Sequence, residues 1–260
     1  MIYNMIKFKS KEQIAILAEG GKILARVINE VINQIKPGIS TGELNNLAED
    51  LIQGYGAIPS FKNYQPDWSK SSYPAALCTS INNEVVHGIP KYDRILQSGD
   101  IISLDCGLKY KGLYTDMAIT VGVDKISPEA KKLLKITKEA LMAGIKKIKP
   151  GRKLSNVAKA INKVITLNGF SAVRQLCGHG VGLAIHEDPQ IPNYWPSPGI
   201  KDVVLEEGMV LALEPMVNMG DWPVETLDDG WTVVTVDGSL SAHFEHTIAV
   251  TKEGYQILTK

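Results

Sequence analysis

The chain has 260 residues, of which 44% are hydrophobic and 22% charged, a composition typical of a globular protein. Its 28 lysines and arginines balance its 28 aspartates and glutamates, so it lacks the basic excess of a nucleic-acid-binding protein. No apolar stretch is long enough to span a membrane, and residues 1–7 lack the apolar core of a secretory signal. Three cysteines without paired spacing, Cys78, Cys106 and Cys177, suit free thiols in a reducing cytoplasm.

Two amphipathic helices are predicted in the first half of the chain. Apolar residues recur every three or four positions from Lys11 to Lys36, a period typical of a helix with one buried face, and Pro37-Gly38 ends it. The same period runs from Glu43 to Gln53, ahead of Gly54.

The second half repeats this layout. Ser127-Pro128 offers an N-cap and a proline suited to the first helical turn, and Pro150-Gly151 ends that helix before another runs from Leu154 to Gly169. Ile-Lys-Pro-Gly occurs in both halves, 113 residues apart. Lys-Pro-Gly is a common helix stop, but its place between two helices each time favours an internal duplication. We therefore predict one domain, residues 1–260, with halves of about 1–126 and 127–260.

Strands are predicted between and after the helices. The β-branched runs are Ile101–Leu108, Leu113–Val123, Met209–Leu213, Thr232–Val236 and Phe244–Thr251. Lys109–Gly112 joins the first two as a hairpin, and Pro189–Pro198 is predicted to be a surface loop. Helix pairs followed by hairpins, twice over, predict an α+β fold with two pseudo-symmetric αβ halves around a central antiparallel sheet.

Asp105 and Asp116 lie in the two arms of the predicted hairpin. A turn centred on Tyr110-Lys111 would place them directly opposite each other, with Cβ atoms about 5 Å apart. Two opposed carboxylates repel unless a proton or a cation lies between them. One such pair can be an exposed feature of a sheet, but a metal explains it better when other ligands are present.

Further candidate ligands lie in segments that otherwise look buried. Glu214 ends an apolar run, Glu245 lies within another, and His179 stands between two glycines. A buried, unpaired charge is costly. Four carboxylates and one imidazole suit Mn, Fe or Co better than a thiolate-rich zinc site. Two such ions about 3.5–4 Å apart could polarise a carbonyl for hydrolysis.

Six motifs occur in order along the chain: Ser103-Leu104-Asp105-Cys106-Gly107, Thr115-Asp116-Met117, Gly178-His179-Gly180-Val181-Gly182, His186-Glu187, Leu213-Glu214-Pro215-Met216 and Phe244-Glu245-His246-Thr247. In order and spacing they resemble the type I methionine aminopeptidases, the short bacterial form in peptidase family M24. The resemblance covers nearly the whole chain. It implies the pita-bread fold, in which two related αβ halves enclose the metals, and a cytoplasmic enzyme that removes the N-terminal methionine ahead of a small residue.

The resemblance also implies a role for each site residue. Two divalent ions (Co, Mn, Fe or Zn) would be held by Asp105 on one metal, Asp116 and Glu245 on both, and His179 and Glu214 on the second. Glu214 would also accept a proton from the attacking water. His87 and His186 would contact the substrate amide. The methionine side chain would contact Phe61, Tyr64, Tyr73, Cys78, Ile185 and Trp231. His243 and His246 are expected to be structural.

The same resemblance implies the binding partners of the enzyme and shows where this sequence differs from the family. The substrates would be nascent polypeptide N-termini, with transient ribosome contact, and the enzyme would be a monomer without a nucleic-acid or membrane partner. The segment Gln65–Ser72 is longer than in the bacterial enzymes, so the rim of the pocket is expected to differ. Leu183-Ala184-Ile185 replaces an arginine-containing version.

Two other functions remain open. Prolidases and aminopeptidase P share the fold and the metals but cut at proline. They usually carry a separate N-terminal domain, and their last glutamate lies in Arg-Ile-Glu-Asp instead of Phe244-Glu245-His246-Thr247. A non-catalytic relative that binds proteins or RNA would have lost metal ligands, and all five are present here.

Overall fold

A computed structural model describes residues 6–67 and 69–260. Residues 1–5 and Trp68 lie outside the described part, so the expectation for residues 1–7 falls mostly outside it, and the longer segment Gln65–Ser72 is described except for Trp68. In the described ranges, no helix is both long enough and apolar enough to cross a membrane.

The described residues form four helices, two in each half: α1 (Lys11–Asn33), α2 (Thr41–Gly54), α3 (Pro128–Ile145) and α4 (Leu154–Leu167). Serine side chains at Ser10, Ser40 and Ser127 accept a hydrogen bond from the first turn of α1, α2 and α3, which satisfies a helical N–H that has no partner within the helix.

The predicted helix boundaries differ from the observed ones most at the ends of α1 and α3. Helix α1 stops at Asn33, three residues before the predicted end at Lys36, because a residue that precedes proline disfavours the helical conformation. Helix α3 ends at Ile145, although Ile148, three residues later, still packs in the same core cluster.

Within residues 6–67 and 69–260, fifteen strands form four antiparallel sheets. The first contains β1 (Ile58–Pro59), β2 (Leu77–Ile81), β4 (Ile101–Tyr110) and β5 (Leu113–Gly122). The second contains β6 (Ser171–Ala172), β10 (Met216–Asn218) and β13 (Ser241–His243). The third contains β3 (Glu84–Val86), β11 (Val224–Thr226) and β12 (Val233–Thr235). The fourth contains β7 (Gly178–Gly180), β8 (Glu187–Ile191), β9 (Val210–Leu213), β14 (His246–Thr251) and β15 (Gly254–Ile257).

The predicted register of the β4–β5 hairpin is wrong by two residues. Asp105 pairs with Ala118, and Asp116 pairs with Gly107. The turn is the pair Lys111-Gly112, whose φ angles are 47° and 87°, the left-handed conformation that favours a two-residue hairpin turn. Side chains alternate between the two faces of a sheet, so Asp105 and Asp116 still share a face as diagonal neighbours.

The helices pack on one face of these sheets. In the first half, α1 and α2 form a core cluster with Ile102, Leu104, Cys106 and Leu108 of β4, so the alternate residues of β4, Asp105 among them, face away from the helices. In the second half, α3 and α4 pack with β9 and β14 through Leu211, Leu213, Ile248 and Val250.

The segment Pro189–Pro198 is not wholly a surface loop. Its first residues continue β8, which ends at Ile191, and Ile191 and Asn193 are both buried. The amide of Asn193 donates a hydrogen bond to the backbone oxygen of Glu214 at 3.0 Å, so this segment supports the loop that follows β9. The proline-rich composition predicted exposure, but packing against the site overrides it.

Candidate active site

The five predicted metal ligands converge on one cavity, about 680 Å³ in volume. Asp105 comes from β4, Asp116 from β5 and His179 from β7, while Glu214 follows β9 and Glu245 precedes β14. Asp116, His179 and Glu245 each offer a ligand atom, and those atoms lie within 4.8 Å of one another. Both halves of the chain therefore contribute to the cluster.

Hydrogen bonds between β5 and residues 245–247, at the start of β14, hold the backbones of two of the acids side by side. The amide of Asp116 donates to Oγ1 of Thr247 at 2.9 Å, and that hydroxyl donates to the backbone oxygen of Asp116 at 2.7 Å. The amide of Glu245 donates to the oxygen of Ala118 at 2.8 Å. Asp116 and Glu245 therefore have fixed backbones before any ligand binds.

The glycines around His179 are required by close backbone contacts. A Cβ at Gly178 would overlap the backbone oxygen of Ala212, and one at Gly180 would overlap that of Asp188. Because these glycines let β7 pack closely between β9 and β8, the His179 ring lies at the cavity wall. Its Nδ1 lies 2.8 Å from the oxygen of Gly180, and its Nε2 lies 3.5 Å from Oε1 of Glu214.

Burial gives the acidic groups unusual protonation behaviour. Burial, reinforced by neighbouring carboxylates, raises the pKa of Asp116, Glu214 and Glu245 well above the usual range. Burial likewise raises the pKa of Asp105 to about 7. Within the described residues, Oδ1 of Asp105 and Oε1 of Glu245 are buried without a hydrogen-bond partner. A cluster of repelling carboxylates with unpaired oxygens suits divalent cations, which favour the charged form of every one of these groups.

Two predicted substrate-contacting histidines line the same cavity. The ring of His186 stacks edge-on against that of His179, with centroids 4.4 Å apart, and its Nδ1 lies 2.7 Å from the hydroxyl of Tyr64. The ring of His87 lies 6.0 Å from that of Trp231. Burial lowers the pKa of both His87 and His186 to about 4, so both rings are neutral near pH 7.

A third histidine, His243, which was expected to be structural, lies against Glu214. Its side chain is buried, and its Nε2 lies 3.7 Å from Oε2 of Glu214. Neither of its ring nitrogens has a hydrogen-bond partner in the described part of the chain. Burial lowers the pKa of His243 to about 3, with a further contribution from His87. In the sequence, the feature that could have indicated this location is that His243 lies two residues before Glu245 in a run that looks buried.

The six residues predicted to contact the methionine side chain lie in one apolar cluster beside the acids. Phe61, Tyr73, Cys78, Ile185 and Trp231 are buried in this cluster, and Tyr64 packs against it. Ala75, Ile89 and Tyr114 belong to the same cluster. The rings of Tyr73 and Trp231 meet edge-on with centroids 5.2 Å apart. This arrangement creates an apolar wall within reach of the acidic cluster.

Part of the segment Gln65–Ser72, which was expected to alter the rim of the pocket, borders the cavity. The amide of Tyr73, which follows the segment, donates to the oxygen of Tyr64 at 2.8 Å. Gln65, Pro66 and Asp67 line the cavity. These three residues therefore form part of the rim.

Comparison with known proteins gives a consistent result. The profile of Metallopeptidase family M24 matches residues 15–252. Methionine aminopeptidase 1 of Bacillus subtilis is 50% identical over 256 residues, which cover 98% of this chain and 100% of that protein. The methionine aminopeptidase of Clostridium perfringens is 47% identical over 257 residues, covering 98% and 99%.

Solved structures separate the two metallopeptidase alternatives. Methionine aminopeptidase from Thermotoga maritima superposes with a TM-score of 0.93 at 43% identity, covering 98% of this chain and 100% of that one. An Xaa-Pro dipeptidase from Bacillus anthracis reaches a TM-score of 0.74 at 26% identity, and only 62% of that chain is covered. The shared architecture confirms the pita-bread fold. The chain belongs to metallopeptidase family M24 and, within it, to the methionine aminopeptidases.

Proposed function

We propose that this enzyme hydrolyses the peptide bond after an N-terminal methionine in nascent proteins and peptides, and that it prefers a small second residue. The observation that carries the proposal is the position of the apolar cluster around Tyr73, Cys78 and Trp231, which lines the same cavity as the five candidate metal ligands. An unbranched, polarizable methionine side chain suits such a pocket.

Two divalent ions, Co, Mn, Fe or Zn, would be held by Asp105, Asp116, His179, Glu214 and Glu245. Unpaired buried oxygens on Asp105 and Glu245 and raised carboxylate pKa values support this assignment. When bound, the ions polarise the scissile carbonyl and make water more acidic. Their charge also restores these carboxyls to the ionised form.

Glu214 is the proposed proton acceptor for the attacking water. Its carboxylate lies between two imidazoles, with Nε2 of His179 at 3.5 Å and Nε2 of His243 at 3.7 Å. The two rings restrict rotation of the Glu214 carboxylate. A general base must lie within hydrogen-bond reach of the proton it accepts, so a fixed orientation favours the transfer.

His87 and His186 are the proposed groups that steady the scissile amide. If Tyr64 donates its hydroxyl proton to Nδ1 of His186, the proton of that neutral ring lies on Nε2, where it can donate to a substrate oxygen. A neutral imidazole suits this task, because its single N–H can donate a hydrogen bond to an oxygen that develops negative charge.

The substrate pocket is proposed to select by exclusion. Phe61, Tyr64, Tyr73, Cys78, Ile185 and Trp231 would surround the methionine side chain. The confined cavity would reject a large second residue by steric clash.

The whole chain, residues 1–260, is proposed to be one catalytic domain that arose by duplication, with halves of about 1–126 and 127–260. Each half begins with a helix pair, α1–α2 or α3–α4, and continues into strands that carry ligands.

The proposed setting is the cytoplasm, where a monomeric enzyme would meet nascent N-termini and touch the ribosome transiently, without a nucleic-acid or membrane partner. Three free cysteines support a reducing compartment.

Peptide selectivity tests the proposed function. Rates with Met-Gly-Met, Met-Leu-Met and a set of Xaa-Pro peptides should be compared on metal-loaded protein. We expect rapid cleavage of Met-Gly-Met and little of the other peptides. Cleavage confined to the Xaa-Pro set would contradict the proposal and favour the prolidase-like alternative, while no cleavage of any peptide would favour a non-catalytic relative.

A further inference from the structure

A buried ion pair lies behind the active-site loop. Nζ of Lys9 and Oε2 of Glu187 are 2.5 Å apart, and the two side chains are 1% and 3% exposed. Burial lowers the pKa of Lys9. Burying two charges this deeply lowers the stability of the fold unless each charge has enough polar partners. The other contacts of Lys9 and Glu187 therefore indicate the role of the pair.

Glu187 holds the loop that joins β7 to β8. Its Oε1 accepts hydrogen bonds from the amides of Leu183, at 2.5 Å, and Ala184, at 2.8 Å, while Oε2 accepts from Lys9. One carboxylate therefore links two backbone groups of residues 181–186 to a cation from outside the loop.

Lys9 is itself anchored to the body of the protein. Its amide donates to the oxygen of Gly208 at 2.8 Å, and Nζ also donates to the oxygen of Lys7 at 2.9 Å. Its side chain crosses Gly182, where a Cβ would lie 2.5 Å from Cε of Lys9 and where φ is 137°. Gly182 therefore leaves the space that Lys9 occupies.

The loop held in this way carries two groups of the proposed site. Ile185 is buried in the methionine-pocket cluster. His186 follows it and contacts both Tyr64 and His179. A shift of the loop would move the pocket wall and the proposed amide-binding histidine together.

We propose that Lys9 and Glu187 are a positioning pair that sets the place of Ile185 and His186. Glu187 lines the cavity, but both of its carboxylate oxygens are engaged by Lys9 and by the amides of Leu183 and Ala184. Lys9 and Glu187 therefore act through the 181–186 backbone, and their kinetic effect rests on the proposed function. Without Lys9, the Glu187 carboxylate stays buried with an uncompensated charge, and the most accessible relief is for the loop to move it toward water.

The test uses metal-loaded, full-length protein and the variants Lys9→Met and Glu187→Gln. Lys9→Met keeps most of the aliphatic side chain and removes the charge, and Glu187→Gln keeps an oxygen for the two amides. Lys111→Met is the matched control, because it breaks the ion pair between Lys111 and Glu19 of α1, whose side chains are 53% and 54% exposed. Exposed pairs of this kind contribute little to stability.

Three readouts distinguish positioning from mere stabilisation. We expect kcat/KM for Met-Ala-Ser to fall about 10- to 100-fold in both variants, since a displacement of about 1 Å can have that effect. The preference for Met-Ala-Ser over Leu-Ala-Ser should fall as well. Amide hydrogen exchange should accelerate in residues 181–187 and not in β9. The double variant should lose little more than either single variant, because both remove the same interaction.

Equal kinetics, selectivity and exchange in Lys9→Met and Lys111→Met would overturn the proposal. So would a Lys9→Met protein with a lower Tm but unchanged kinetics below it, because the pair would then only stabilise the fold. If Lys9→Met does not fold, Glu187→Gln carries the same readouts. Wild-type protein that releases no methionine would contradict the proposed function instead, and exchange in residues 181–187 would still test the pair.

Discussion

Nε2 of His243 lies 3.7 Å from Oε2 of Glu214, opposite the His179 ring, whose Nε2 lies 3.5 Å from Oε1. His243 comes from β13, where it pairs with Met216, two residues after Glu214. The proposed base therefore lies between one proposed metal ligand and one histidine that is not among the five proposed ligands. This second imidazole can keep Glu214 aligned.

Replacing His243 tests that alignment. His243→Leu should lower kcat for Met-Ala-Ser by roughly 10- to 100-fold, the loss typical of removing a group that orients a metal ligand. His243→Gln restores a donor at this position and should recover much of the rate. Steady-state kinetics with calorimetric metal titration would check both. Equal, wild-type rates in the two variants would show that His243 only fills space.

Removing either substrate-contacting histidine should affect chemistry more than metal binding. His87→Ala and His186→Ala should each lower kcat by about 100- to 1000-fold, as loss of a donor to a developing oxyanion does. Tyr64→Phe removes only the hydroxyl beside Nδ1 of His186 and should have a smaller effect. Measured metal affinity should stay near the wild-type value. A large loss of metal affinity would instead identify these histidines as ligands.

The stability of metal-free protein should depend on Asp105 in a defined pH window. Burial raises the pKa of Asp105 to about 7, above the value near 4 of an unfolded chain. The unfolded state then loses this proton first as the pH rises, so the wild type should lose stability between about pH 4 and pH 7. Asp105→Asn removes that contribution.

Differential scanning calorimetry without metal should therefore find Asp105→Asn more stable than wild type at pH 8, by roughly 1–4 kcal/mol. The difference should shrink toward pH 5. Comparing variant with wild type cancels the opposite pH trend of the buried histidines. Added Mn should raise the Tm of the wild type more than that of the variant. A variant less stable than wild type at pH 8 would contradict the account.

The pocket wall should control which first residue is accepted. Trp231→Ala should raise KM for Met-Ala-Ser by roughly tenfold or more and reduce the preference for methionine over phenylalanine, since hydrophobic pockets discriminate by small steric differences. Trp222→Ala is the control, because Trp222 stacks on Arg174 away from the cavity lining. Unchanged selectivity in Trp231→Ala would show that Trp231 does not contact the side chain of the first residue.

Local patterns predicted the helices well, because each has a continuous apolar face that packs on a sheet. Leu24, Ile28 and Val31 on the apolar face of α1, for example, are buried as expected. The strand limits were also close. In the segment Pro189–Pro198, the proline-rich composition failed to predict burial, because the burial depends on contacts with distant parts of the chain. Asn193, which binds the backbone oxygen of Glu214, is an example.

The hairpin register was harder to predict, because it depends on which two residues adopt left-handed angles. Lys111-Gly112 does so, yet lysine carries no strong preference for that conformation. The contact between His243 and Glu214 was not predicted for a different reason. It joins segments about 30 residues apart, and no spacing rule within one strand encodes such a contact. The five candidate ligands were identified through the combined motifs.

The most direct test of the central claim measures free methionine released from Met-Ala-Ser by metal-stripped protein, before and after adding Mn, Fe or Co, beside Asp116→Asn. Asp116 pairs with Gly107 on one side and is tied to Thr247 on the other, so asparagine should keep the fold and lose a ligand charge. We predict release only with metal and only from the wild type. No release with any metal from folded protein, or equal release from Asp116→Asn, would contradict the account.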